Sequence, residues 1–195
     1  EAELIKYGIT SDAARIAVIA TISVETAHTF KPIHEMGGPK YFTKLYEGRK
    51  DLGNVQKGDG VKFHGRGYTQ NTGRDNYTVL RGVIKADCVA DPDLLVQPHY
   101  SAIALAHYFK THGCADWANK AWASEGQTTC VFCQHDGLLF YGTSSKGKPL
   151  YRRPKFTEAP CGTCAWKTVR RTVNGGLNGW DVFKHNVDEL SKLVK

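Results

Sequence analysis

Three glutamates in the first quarter of the chain are candidates for acid–base chemistry: Glu25, Glu35 and Glu47. Glu25 ends an apolar stretch in which Val18 and Ile22 fall on the same face of a predicted helix. Apolar neighbours favour the neutral form of a carboxyl, whereas Glu35 and Glu47 lie in polar stretches that suit an ionised one. One protonated and one ionised carboxyl are what cleavage of a glycosidic bond requires. Each glutamate, taken alone, also fits an ordinary surface or helix-end acid.

The segment 63–77, FHGRGYTQNTGRDNY, has almost no aliphatic content. It carries hydroxyl, amide and aromatic groups, which bind sugars, and its glycines let the backbone approach a ligand closely. We therefore expect a sugar-binding loop that includes Arg66 and Tyr68, with a glycine-rich surface turn as the alternative. A phosphate loop is disfavoured, because Gln70 stands where GxGxxG needs glycine and no GK[ST] follows.

Two CxxC pairs are separated by 27 residues, and their members are Cys130, Cys133, Cys161 and Cys164. Four thiolates at this spacing are typical of a tetrahedral structural zinc site, which leaves no open position for a catalytic water. A protein made in a reducing cytoplasm would keep these thiols free to bind metal. Disulfides formed in an oxidising exterior, including one between Cys88 and Cys114, are the alternative. The stretch between the pairs is expected to form a small hairpin.

The apolar pattern predicts a mainly α-helical protein with little strand. A start signal at 10–12 precedes an apolar run that predicts a buried helix ending near Glu25. Further helices are predicted at 76–84, from 91 to 113 with a break near Pro98, and at 116–122, 166–173 and 181–193. Residues 30–62 are rich in Gly, Pro and Lys and are predicted to be irregular. We predict one domain over residues 1–195, with 128–164 as a cysteine-rich, zinc-ribbon-like insertion.

The net charge of +7 suits an anionic partner such as nucleic acid, a membrane surface or an anionic cell wall, and it also suits simple solubility. No apolar run is long enough to span a membrane, and no basic run has the length of a nucleic-acid-binding tail. The chain starts at Glu1 without a visible secretory signal. We therefore expect a processed chain or excised domain, monomeric and flanked by other domains.

Four stretches resemble, in order, the motifs of glycoside hydrolase family 19: VETAHTF at 24–30, YEGR at 46–49, GDGVKFHGRGYTQNTGRDNY at 58–77 and VNGGLNG at 173–179. This family comprises the plant-type chitinases and a set of phage endolysins. GRGYTQNTGRDNY is close to its GRG-x-x-Q-x-[ST] signature, and the matching regions span roughly residues 10–110 and 165–195. The combination of YEGR, DLGN and GDG resembles endolysins of mycobacteriophages and related actinophages.

The resemblance implies a mainly α-helical, lysozyme-like fold with a deep cleft and an inverting mechanism. It makes Glu25 the general acid and Glu47 the general base, with Glu35 as the base assigned in some phage members. Thr72 matches a hydroxyl residue that holds the attacking water. The remaining matches are Gln70 and Asn76 as sugar contacts, Asn174 as a cleft-lining asparagine, and Lys184 as a weak candidate for a later cleft cation.

Two positions depart from the family pattern. Val24 stands where the family usually has histidine before the acid, and Thr69 and Asn71 replace two aliphatic residues of the signature. The first departure removes a side chain that supports the acid. The second changes the packing beneath the loop.

The resemblance implies a phage endolysin that hydrolyses β-1,4 glycosidic bonds of bacterial peptidoglycan. Such a protein is made in the host cytoplasm and acts on the wall after release, without inserting into a membrane. Its partner would be the glycan strands, and its zinc would be structural, with no cofactor for catalysis. The alternatives are a chitinase acting on chitin oligomers, a wall-binding module without activity, and a zinc-ribbon nucleic-acid binder that would use Arg152, Arg153 and Lys155.

Overall fold

Helices dominate the computed structural model, which describes residues 1–127, 129, 130, 132–158 and 160–194. The helices are α1 (Ala2–Lys6), α2 (Asp12–Glu25), α3 (Pro39–Tyr46), α4 (Asp59–Lys62), α5 (Arg74–Ile84), α6 (Pro98–Thr111), α7 (Cys114–Ala123), α8 (Gly162–Asn174) and α9 (Trp180–Leu193). The strands are β1 (Ile33–His34), β2 (Arg66–Gly67), β3 (Leu139–Thr143) and β4 (Pro149–Arg152). Short 3-10 helices lie at Lys50–Leu52, Pro92–Val96 and Cys133–His135. The mainly α class predicted from the sequence is confirmed.

The helix start and stop signals in the sequence were read correctly at several places. Ser11 caps α2, since its Oγ accepts the N–H of Ala14 at 3.3 Å, and the helix ends at Glu25 as predicted. Asp91 caps the 3-10 helix that follows it by accepting the N–H of Asp93 at 3.1 Å. The Ala-rich run of α2 is buried along most of its length, as a helix with few polar interruptions must be.

The prediction that residues 30–62 are irregular is wrong, because α3 and α4 both lie there. Pro39 occupies the first turn of α3, where its missing N–H costs no hydrogen bond. Phe42 is the buried residue of this helix. The helix has only eight residues, so an apolar period can be recognised over little more than two turns.

The chain divides into two compact units, and the prediction of a single domain stays a prediction. Unit 1 comprises residues 1–7 and 25–108, and unit 2 comprises residues 8–24 and 109–195. The core of unit 1 is built from Phe63, Tyr77, Leu80, Ile84, Cys88, Leu95 and Ala104. Strands β1 and β2 pair antiparallel in this unit, with Ile33 opposite Gly67 and His34 opposite Arg66. This short ribbon joins two stretches of chain that are about thirty residues apart in sequence.

Unit 2 contains the predicted cysteine-rich segment and is built around helices. Helix α7 packs against α8, and α8 packs against α9. Strands β3 and β4 form the predicted antiparallel hairpin, with Thr143 opposite Pro149 and an irregularity in register between Phe140 and Gly142. Among the described helices, none combines the length and apolar character needed to cross a membrane.

Candidate active site and cysteine cluster

Glu25 is the partly exposed last residue of α2, and a strained turn follows it. Three non-glycine residues of this turn have positive φ: Ala27 (47°), His28 (63°) and Phe30 (54°). Backbone strain of this kind is uncommon and concentrates at functional sites. Thr26 is fully buried and fixes the turn, because its Oγ1 accepts the N–H of Phe30 at 3.0 Å. The candidate acid thus directly precedes a strained turn that a hydrogen bond to Thr26 stabilises.

The segment 63–77 lies against the chain that follows this turn. The hydroxyl of Tyr68 donates a long hydrogen bond of 3.5 Å to the carbonyl oxygen of Phe30. The Gln70 side chain donates through Nε2 to the carbonyl of Ile33 at 3.1 Å and to that of Gly67 at 2.9 Å. Gln70 itself has a positive φ of 50°, which makes it a further strained residue of this region. These contacts join the predicted sugar-binding segment to the loop that begins at the candidate acid.

Glu35 directly adjoins the same segment. Its Oε1 accepts the hydroxyl of Tyr46 at 2.8 Å, and its Oε2 accepts the N–H of Gly65 at 3.0 Å. Burial and the bond to Glu35 raise the pKa of Tyr46 above its ordinary value, so this hydroxyl remains a donor at neutral pH. A β-carbon at Gly65 would lie 3.0 Å from Oε1 of Gln70 and 3.1 Å from Oε2 of Glu35. Both side-chain oxygens therefore adjoin Gly65, and glycine leaves room for both.

Glu47 occupies a different environment. Its Oε1 accepts the N–H of Gly58 at 2.7 Å, and its Oε2 accepts the N–H of Gly60 at 2.8 Å. The carboxylate thereby caps the N-terminus of α4 by accepting from two backbone amides at the start of the helix. Of the two predicted bases, Glu35 is the one whose hydrogen bonds reach segment 63–77.

Arg66 supports the segment from inside. Its side chain is 7% exposed, and its Nε donates to Asp93 at 2.8 Å. Its Nη1 donates to the Tyr77 hydroxyl at 3.0 Å and to the carbonyls of Lys62 and His64. These bonds occupy the guanidinium inside unit 1. We therefore infer that Arg66 positions the segment, whereas the sequence predicted that it contacts the sugar.

The remaining predicted residues of this segment are more accessible. Thr72 donates from its hydroxyl to the carbonyl of Gln70 at 3.0 Å, which leaves the oxygen lone pairs able to accept a hydrogen bond from water. Asn76 is exposed on α5 and donates to the carbonyl of Thr72 at 2.7 Å. Tyr68 is partly buried, and burial raises its pKa. Thr72, Asn76 and Tyr68 thus present polar atoms on a fixed backbone.

Two residues that the family resemblance assigns to the cleft belong to unit 2. Asn174 is the last residue of α8, and its Oδ1 accepts the N–H of Gly176 at 3.1 Å, which stabilises the turn after the helix. Lys184 lies 2.5 Å from the carboxylate of Asp188 within α9 and lines a cavity of about 210 Å³ in unit 2. The predicted residues from Glu25 to Asn76 all belong to unit 1.

The four cysteines of the CxxC pairs come together in unit 2, with every sulfur within 4.8 Å of the others. The Sγ of Cys133 lies 3.8 Å from that of Cys130, 3.6 Å from that of Cys161 and 3.7 Å from that of Cys164. Four sulfurs bound tetrahedrally at about 2.3 Å from zinc stand roughly 3.8 Å apart, so the donor set fits this metal. Cys161 is the N-cap of α8 and Cys164 lies in its first turn, so the helix start fixes the positions of both.

The two remaining cysteines have another character. No disulfide joins any of the six cysteines, all of which lie in the described part of the chain, and Cys88 and Cys114 are fully buried. Burial raises the pKa of Cys88 to about 11 and that of Cys114 to about 12. These thiols stay protonated and belong to the protein interior, as buried structural cysteines do.

The basic residues between the CxxC pairs are engaged within unit 2. Arg152 forms an ion pair with Glu158 at 2.6 Å. Arg153 donates to the carbonyl of Arg171 at 2.8 Å and to the hydroxyl of Thr172 at 3.2 Å. A zinc-ribbon nucleic-acid binder would use such guanidinium groups to bind phosphates. The intramolecular contacts of Arg152 and Arg153 compete with phosphate binding.

Sequence reasoning missed three residues around Glu35. Tyr46 donates to its carboxylate, His34 precedes it in β1, and His64 precedes its partner Gly65. These relationships depend on the pairing of β1 with β2, and two-residue strands leave no periodic signal. Comparison with known proteins gives no match, either to a protein-family model or to a curated protein.

Proposed function

We propose that this chain is the catalytic part of a phage-type endolysin that hydrolyses β-1,4 glycosidic bonds of bacterial peptidoglycan with inversion. The observation that carries the proposal is the set of hydrogen bonds from segment 63–77 to Phe30, Ile33 and Glu35. These bonds join the candidate sugar-binding segment to a second carboxylate and to the chain that follows the candidate acid, and all of these residues belong to unit 1. The lysozyme-like arrangement of glycoside hydrolase family 19 is part of the proposal, and the mainly helical structure agrees with it.

In this mechanism Glu25 donates a proton to the leaving glycosidic oxygen. Glu35 takes a proton from the water that attacks the anomeric carbon, and the Thr72 oxygen accepts the other hydrogen of that water. We choose Glu35 over the sequence-based preference, Glu47, because the Glu47 carboxylate caps α4. An inverting enzyme needs about 6.5–9.5 Å between its two carboxyls to admit the water.

The proposed substrate is inferred from side chains other than the two carboxylates and from the net charge. Tyr68, Gln70 and Asn76 offer an aromatic ring and amide groups, which suit the hydroxyl and acetamido groups of wall sugars. The net charge of +7 favours approach to an anionic cell wall. We assign zinc held by the four clustered cysteines a structural role, since four protein ligands leave no position for a reacting water. The protein acts on the cell wall after its release from the host cytoplasm.

The test is digestion of purified peptidoglycan and, separately, of chitin oligomers. New reducing ends, product masses and the anomeric configuration of the products are measured. We expect inverted products from peptidoglycan, a loss of at least about a hundredfold in Glu25→Gln, and an unchanged rate in Glu189→Gln, which alters an exposed glutamate of α9. Cleavage of chitin alone would make the protein a chitinase. Wall binding without new reducing ends would leave only a binding module and refute the proposal.

A further inference from the structure

Two histidine side chains meet beside Glu35. His34 Nδ1 lies 3.4 Å from His64 Nε2, and the rings are tilted by 35° with centroids 5.6 Å apart. His34 is exposed on β1, whereas His64 is partly buried just before β2. Because His34 pairs with Arg66 in the β1–β2 ribbon, the backbones that carry both rings are fixed relative to each other.

The hydrogen bonds of His64 define which of its nitrogens carries the proton. Its Nδ1 lies 2.7 Å from the carbonyl oxygen of Val61, and a carbonyl can only accept, so Nδ1 is the donor. The lone pair of Nε2 is then directed toward His34. A ring stacked on Phe42, with centroids 4.2 Å apart and planes within 3°, has little freedom to rotate. Metal-binding histidines have this arrangement, in which one nitrogen donates to a carbonyl and the other binds the metal.

The distance between the two nitrogens suits a shared ligand. At 3.4 Å the direct contact is a long hydrogen bond, since N–H donors usually lie about 2.7–3.2 Å from their acceptors. Two nitrogens bound tetrahedrally at about 2.0–2.1 Å from zinc stand roughly 3.3–3.4 Å apart. We propose that His34 and His64 form a binding site for a divalent transition metal such as zinc, with water completing the coordination.

Binding requires only a change of tautomer at His34. Without metal, His34 Nδ1–H points at the lone pair of His64 Nε2. With metal, the His34 proton resides on its own Nε2, and both rings stay neutral and bind through lone pairs. This site belongs to unit 1 and is distinct from the cysteine cluster of unit 2.

The experiment is calorimetric titration of the whole chain with zinc, in which the number of equivalents bound is compared between variants. Because the comparison is a difference, it holds whatever the cysteine cluster binds, and it holds whether or not the chain hydrolyses glycans. We expect His34→Ala to bind one equivalent fewer than the wild type. His64→Gln should lose the same equivalent, which guards against a folding defect in either variant.

The matched control is His99→Ala, which removes an exposed histidine of α6 in the same unit. It should bind as many equivalents as the wild type. The proposal is overturned if His34→Ala keeps every equivalent that the wild type binds. It is equally overturned if His99→Ala loses the same equivalent, because the zinc would then be bound by surface histidines in general.

Discussion

Gly65 holds Glu35 at two points: its N–H donates to the Glu35 carboxylate at 3.0 Å, and its carbonyl accepts the Glu35 N–H at 2.8 Å. The proposed base is therefore positioned by the backbone of the sugar-binding segment itself. A side chain at position 65 would press on this arrangement, since its β-carbon would lie 3.2 Å from that of Glu35 and 3.0 Å from Oε1 of Gln70.

We expect Gly65→Ala to lower kcat by roughly ten- to a hundredfold, because small displacements of a catalytic group are costly. The fold should survive, since the crowded atoms are side-chain atoms that can shift by a few tenths of an ångström. Initial rates on peptidoglycan and thermal unfolding are the measurements. Gly82→Ala is the control, because a β-carbon at Gly82 of α5 meets open space, and its rate should equal that of the wild type. A Gly65→Ala enzyme with full activity would contradict the positioning role.

Glu35→Gln and Glu47→Gln should separate catalysis from stability. Glutamine at position 35 can keep both bonds, because its oxygen accepts from Gly65 and its amino group donates to the Tyr46 hydroxyl oxygen. Glutamine at position 47 faces two N–H donors with a single acceptor, so one amide loses its partner. We expect Glu35→Gln to lose at least about a hundredfold in rate with an almost unchanged melting temperature.

Glu47→Gln should instead lose about 1 kcal/mol of unfolding free energy, or about 2–4 °C in Tm, and keep most of its activity. Rates and thermal melts of the two variants, measured side by side, check both statements. The opposite pattern, with a fast Glu35→Gln and an inactive but stable Glu47→Gln, would move the base to Glu47.

Tyr46→Phe tests whether the hydroxyl that contacts Glu35 positions the base. The hydroxyl donates to the Glu35 carboxylate at 2.8 Å, and without it the carboxylate keeps its bond from the N–H of Gly65 but can turn about that bond. We expect kcat on peptidoglycan to fall roughly tenfold while KM stays near the wild-type value, because small displacements of a catalytic group are costly. A Tyr46→Phe enzyme with the wild-type kcat would contradict this role.

Sequence reasoning succeeded where the signal is local. The apolar run before Glu25 predicts a helix, and the spacing of the CxxC pairs predicts a metal-binding cluster. Helix α2 and the cysteine cluster both lie where these patterns predict them. The contact of Glu35 with Gly65 joins residues that are thirty positions apart through strands of two residues. This contact forms only through tertiary packing. Strands of two residues are too short to show a periodic pattern from which their pairing could be predicted.

The cysteine cluster predicts about one zinc per chain beyond any that the histidine pair retains, measured by elemental analysis of protein purified under reducing conditions as the difference between the wild type and Cys133→Ser. Cys133→Ser should lose this zinc, because its sulfur lies within 3.8 Å of the other three. Cys88→Ala is the matched control: it removes a buried thiol from unit 1 and should retain the metal. The assignment of the four cysteines would be contradicted if both variants lost the zinc. It would also be contradicted if the wild type contained no zinc.

The ion pair between Asp59 and Arg74 predicts acid sensitivity of unit 1. The Asp59 side chain is 2% exposed and accepts from Arg74 at 2.5 and 2.9 Å and from the N–H of Gln56 at 2.9 Å. The Arg74 guanidinium, together with the amide of Gln56, holds the pKa of Asp59 below its usual value, although burial opposes this. A carboxyl whose pKa is lowered by folding stabilises the protein above its unfolded pKa of about 4, and this contribution is lost as the pH falls through the folded value.

Asp59→Asn should therefore cost about 3 kcal/mol at pH 7, because it leaves Arg74 without its buried partner. The difference between wild type and variant should shrink as the pH falls below 4, where the wild-type carboxyl also becomes neutral. Urea unfolding at pH 7 and at pH 3 measures both quantities. Asp51→Asn is the control, since Asp51 and Arg49 form an exposed pair and its loss should leave unfolding unchanged. A difference between Asp59→Asn and wild type that stays constant with pH would show that the charge of Asp59 is not what stabilises the fold.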